Sequence, residues 1–188
     1  TLKTGERRVT EKNMVIDTHI RPALFAPICE NKEAFQKRCD NMNYHLMKPS
    51  DIDLLKKQFG LADIQKAFLL PSDCSYDTGT ADISNDEIAR LIRLEPELFV
   101  GFASADPRNA DAAAGLERAF TEQKLAGLYL NTARLQMDPD DKRLCVFYDL
   151  CRAYRKPIIF HAGLSLETNA LAEYSRPILF EKILYDYP

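Results

Sequence analysis

The chain has no run of five like charges, no stretch of 18 apolar residues, no C-x-x-C pair and no glycine-rich phosphate turn. Each absence removes a class of protein. Lys and Arg number 25 against 28 Asp and Glu, a net charge of −3 without clustering, so there is no electrostatic footprint for nucleic acid or a membrane surface. Without a long apolar stretch there is no helix to cross a bilayer, and "TLKTGERRVTEKN" at the start lacks the apolar core of a signal peptide. The expectation is a soluble, cytoplasmic protein whose partner is a small molecule, compatible with self-association into a homo-oligomer. Five cysteines, Cys29, Cys39, Cys74, Cys145 and Cys151, are an odd number at spacings that fit reduced thiols better than disulfides or a zinc knuckle.

Residues 1–13 are polar and aperiodic and read as a tail; 14–188 read as one domain. Apolar runs alternate with helical patterns. The runs are "MVIDTHI" (14–20), "IQKAFLL" (64–70), "LFVGFAS" (98–104), "LAGLYLN" (125–131) and "KPIIFHA" (156–162), each expected as a buried strand. Between them, Ser50 is expected to cap "DIDLLKKQF" with Gly60 near its end, and Ser84 to cap "NDEIARLIRL". "NADAAAGLERAFTEQ" is amphipathic, and "DDKRLCVFYDLCRAY" follows Pro139.

This βαβα order implies parallel strands with right-handed crossovers. From the second strand on, strands recur roughly every 30 residues, the length of a βα unit. A doubly wound sheet and part of a (β/α)₈ barrel both fit that period, but the missing phosphate turn favours the barrel. A TIM barrel takes about 250 residues, so the α/β fold is expected as a barrel interrupted after about five βα units. "SRPILFEKILYDYP" would be the helix leading into a sixth strand.

Functional groups of such folds sit at the carboxyl ends of strands. Those ends offer Asp17, His19 and Arg21; Ser72, Asp73 and Cys74; Ser104 and Asp106; Asn131, Thr132 and Arg134; and His161. Two of only three histidines fall in this set; His45 does not. Asp17, His19 and Arg21 share one face by alternation, and an oxygen and a nitrogen ligand two residues apart, with His161 from a distant strand, can hold a divalent ion. Plainer readings stay open: His161 as a core histidine, Arg21 as the partner of an acid, Asn131 as the cap of the next loop.

"VIDTHIRP", "FVGFASADP" and "KPIIFHAG", with the sequence between the last two, resemble the amidohydrolase-2 branch of the amidohydrolase superfamily, over about residues 14–188. That branch includes aminocarboxymuconate semialdehyde decarboxylase, aromatic-acid decarboxylases and related hydrolases. The resemblance implies a metal-dependent barrel, hydrolase or non-oxidative decarboxylase, with one Zn²⁺-like ion and a small carboxylate substrate. His161 matches the fifth-strand ligand. One register of the first strand makes Asp17 and His19 the ligand pair; the other makes His19 the first ligand and puts Arg21 where its partner should be, and a protonated arginine repels a metal. Arg21, Asn131 and Cys74 are then the substrate-contacting candidates, while the family's catalytic histidine and aspartate would fall beyond Pro188. "YLN" departs from the family's usual fourth strand. A barrel that has lost its metal and serves as a binding or scaffold protein is the alternative.

Overall fold

A computed structural model describes residues 14–42, 44–45, 48–79, 82–165 and 167–188; the polar tail lies outside the described residues. Five strands carry the fold: β1 (Val15–Ile20), β2 (Ile64–Leu69), β3 (Phe99–Gly101), β4 (Leu128–Leu130) and β5 (Ile158–Phe160). All neighbouring pairs are parallel, β1 to β2 to β3 and β4 to β5. A bridge between Ala103 and Leu128, with Ala126 N–H donating to the Gly101 carbonyl and Tyr129 N–H to that of Ala103 at 2.8 Å each, joins the two ladders. The spatial order is therefore the sequence order. A doubly wound sheet reverses its order at a switch point, whereas a barrel adds each strand beside the last.

The two faces of the sheet are packed differently, and strand alternation decides which residue goes where. Ala67 and Leu69, Phe99, and Leu128 and Leu130 point into the main core with helical residues such as Ile88, Leu91, Leu116, Phe120, Leu144 and Phe147. Their neighbours Leu70, Phe102 and Tyr129, flanked by Phe68, Val100 and Ile159, form a separate small cluster on the opposite face. Helices thus cover one side only, and the second side is the barrel interior.

The connecting helices begin where side chains satisfy their first amide groups. In α1 (Lys32–Asn41) Asn31 accepts from Ala34 N–H at 2.7 Å. Asp51 caps α2 (Ile52–Ala62), and Ser84 with Glu87 forms a reciprocal capping box on α4 (Asn85–Leu94). One-turn α3 (Ser75–Thr78) precedes it. Then come α5 (Ala112–Thr121), one-turn α6 (Thr132–Leu135), α7 (Lys142–Ala153), capped by Asp141, and α8 (Glu181–Asp186).

Several expectations are corrected. Ser50 does not cap α2: its N–H and C=O bond Leu24 and Ala26 as a short parallel bridge, which passes the cap to Asp51. The helix also runs through Gly60 and stops at Asp63, whose φ of 58° satisfies the left-handed end. The ladders at β3, β4 and β5 are three residues long, shorter than the apolar runs that mark them. β1 is not a buried strand: Val15 and Ile16 are 41% exposed, because β1 has no second strand partner among the described residues. Residues 177–188 are one 3₁₀ turn followed by the short α8.

Candidate active site at the carboxyl ends of the strands

Ile20 packs into the helix-side core, so alternation turns His19 and Arg21 toward the barrel interior. The His19 ring meets Tyr129 of β4 edge-on, with ring centres 6.4 Å apart. His19, Arg21 and His161 line one cleft of about 490 Å³, walled by Phe25, Met42 and Leu55 and by Ser165 and Glu167 of the loop after β5. Two histidines and an arginine from the first and fifth strands are thus brought together across the sheet.

Glu167 is the hub, and nothing in its local sequence marks it. Its carboxylate is buried and ion-paired to Arg21, lies 3.7 Å from Arg134 Nε, and accepts from Asn131 Nδ2 at 3.3 Å and Ser72 Oγ at 3.4 Å. Asp82, also buried and held by Asn41 at 2.6 Å, is close enough to interact with both arginines. Burial is the largest single influence on Arg21 and would lower its pKa, but the charge and hydrogen bond of Glu167 together with the nearby Tyr129 and Asp82 outweigh it and the net shift is upward. Burial, reinforced by Glu167, raises the Asp82 carboxyl. Burial also pushes the Tyr129 hydroxyl up to about 12, and that hydroxyl has no hydrogen-bond partner.

The remaining candidates fall in distinct places. Asn131 caps α6, its Oδ1 accepting from Arg134 N–H at 3.2 Å, while its amide reaches Glu167; the capping and site readings both hold for one side chain. Asp17 accepts from the His19 N–H at 2.9 Å, beside an irregularity in the β1–β2 register, and is not among the cleft residues. Cys74 is 2% exposed in the main core with its thiol pKa raised by burial, and all five cysteines are free.

His161 is half-buried. Burial lowers its pKa and keeps the imidazole neutral, and its Nε2 has no hydrogen-bond partner. A neutral imidazole with a free nitrogen facing a cleft is what a metal needs from a ligand. His19 lines the same cleft and brings a second imidazole to it. Among the described residues there is no group of three His, Cys, Asp or Glu able to hold an ion, so the donors here fit as part of a site.

A helix-covered parallel sheet with polar groups at its carboxyl ends defines a TIM-barrel protein with an enzyme-like cleft. The family model described as Amidohydrolase matches residues 16–188, and the chain belongs to that family, amidohydrolase-2. Solved structures agree on the fold. An uncharacterised TIM-barrel protein from Bordetella bronchiseptica superposes with a TM-score of 0.67 at 18% identity, covering 94% of this chain and 64% of that one. 4-Oxalomesaconate hydratase from Rhodopseudomonas palustris gives 0.57 at 18% identity, covering 79% and 52%. A D314N variant of 5-carboxyvanillate decarboxylase from Novosphingobium aromaticivorans, with bound manganese and 3-methoxy-4-hydroxy-5-nitrobenzoic acid, gives 0.50 at 12% identity, covering 92% and 54%. The chain thus spans between half and two thirds of the length of these proteins. Among curated proteins no sequence matches it. No helix among the described residues is long and apolar enough to cross a membrane.

Proposed function

We propose that this chain contributes the first five strands of a metal-dependent barrel enzyme, a hydrolase or non-oxidative decarboxylase acting on a small carboxylate-bearing molecule. The observation that carries the reading is the meeting of His19, His161 and Arg21 in one cleft at the carboxyl ends of the strands. His161 Nε2 and the His19 ring would hold a single divalent ion, Zn²⁺ by the chemistry of imidazole donors; the Asp17 carboxylate would join them on leaving the His19 N–H. Bound there, the ion would acidify a water or polarise a carboxylate. Arg21 supplies positive charge for an anionic substrate, and its pairing with Glu167 offsets the repulsion it would otherwise exert on a cation. Asn131 stands behind it as a neutral donor. Phe25, Met42 and Leu55 form the apolar wall that excludes water from the substrate's hydrocarbon part.

A metal-free barrel that only binds is the second reading, favoured by Arg21 standing two residues after His19 and by the absence of a three-ligand group among the described residues. Metal analysis of the full-length protein separates the two. One divalent ion per chain is expected, with affinity lowered tenfold or more in His161→Ala, and turnover lost with it. Protein free of divalent metal, with no activity lost in His161→Ala, would sink the enzyme reading.

A further inference from the structure

Four donors from three separate parts of the chain converge on the Glu167 carboxylate: Arg21 after β1, Ser72 after β2, and Asn131 with Arg134 at the cap and in the turn of α6. A structural ion pair needs one cation, and this carboxylate has two. The donors are also incompletely used. The Nε atoms of Arg21 and Arg134 are buried without a hydrogen-bond partner, although the Arg134 side chain is 97% buried (3% exposed), and the Ser72 and Asn131 contacts, at 3.4 and 3.3 Å, are long. Two orphaned guanidinium N–H groups are costly to bury. They describe a pocket whose donors the tethered Glu167 carboxylate meets imperfectly, one that a carboxylate free to choose its position would satisfy better.

We propose that Arg21, Arg134, Asn131 and Ser72 form the seat for the substrate's carboxylate, and that Glu167 fills this seat as an internal surrogate until substrate displaces it. This rests on the reading of the substrate as a small carboxylate. Arg21 and Glu167 line the cleft together with both histidines, so an anion entering it meets the seat beside the proposed metal donors. Because Glu167 is tethered, it competes at high effective concentration, and the ligand's apparent affinity falls by the fraction of molecules in which the seat is free.

Benzoate binding to the full-length protein, measured calorimetrically without turnover, tests this. Glu167→Gln keeps the shape of the side chain and removes its charge, so benzoate should bind at least tenfold more tightly than to the wild type. Adding Arg134→Met should abolish the gain. Glu167→Asp, which withdraws the carboxylate by one methylene, should give a smaller gain of about threefold and serves if the glutamine variant does not fold. Unchanged or weaker binding in a folded variant makes Glu167 a structural tie and overturns the proposal. The outcomes are separable from those of the function itself: tighter benzoate binding in a protein without metal or turnover keeps the seat and removes the enzyme, whereas turnover with unchanged benzoate affinity does the reverse.

Discussion

Two glycine-to-alanine substitutions should act in opposite directions. Gly127 leads into β4, and a Cβ there would lie 2.4 Å from the Pro157 carbonyl oxygen and 2.6 and 2.9 Å from Phe102 ring carbons. Ordinary contact begins at 3.4 Å, so the β4 and β5 backbones would have to part by about 1 Å. The Pro157 carbonyl cannot yield freely, because it accepts the Leu128 N–H at 3.0 Å and so opens the β4–β5 ladder. Losing that bond in a buried place costs about 1–3 kcal/mol, and crowding Phe102 in the inner cluster costs about 1–3 kcal/mol more. Gly127→Ala should therefore lower stability by about 2–6 kcal/mol. Gly115 lies within α5 with nothing within 4 Å of its would-be Cβ. There alanine gains helix propensity, about 0.5–1 kcal/mol. Urea unfolding at equal m-value measures both. A cost below about 1 kcal/mol for Gly127→Ala would refute the account of strand spacing, and a loss for Gly115→Ala would refute that of an open helix position.

Burial lowers the His161 pKa in the folded chain, so in the metal-free protein the unfolded state takes up more protons than the folded one as pH falls from about 6.5 through the lowered folded value. Stability should be complete above that window and decline within it, and His161→Asn should flatten this part of a plot of urea midpoint against pH; an unchanged slope would place the titration elsewhere. Ser84→Ala removes one half of the α4 capping box and should cost about 1 kcal/mol by thermal or urea unfolding, with no change in benzoate binding.

The strands were legible because both faces of this sheet take apolar residues, which gives continuous runs such as "IQKAFLL". The same continuity hid where hydrogen bonding stops, so the runs outlast the ladders at β3, β4 and β5. The first helix escaped notice because "KEAFQKRCDN" buries only Phe35 and Cys39, too few apolar positions to show a period. Ser50 carried a cap signal that pairing with Leu24 and Ala26 overrode. In the site, His19, Arg21, Asn131 and His161 could be picked out by their place at strand ends. Glu167 could not, since its partners lie 36 residues away at Asn131 and 95 away at Ser72. Such a hub exists only once the strands have been brought side by side.

The unequal packing of the two sheet faces has an evolutionary consequence. The cleft's polar groups His19, Arg21 and His161 stand at the carboxyl ends of the strands, beside the face whose buried apolar cluster is Leu70, Phe102 and Tyr129, while the cleft's apolar wall of Phe25, Met42 and Leu55 belongs to the extensive core on the helix side. Replacing an imidazole at the mouth therefore leaves the extensive core intact, whereas recutting the wall does not. A lineage can exchange its polar groups at the strand ends while the helix side stays fixed.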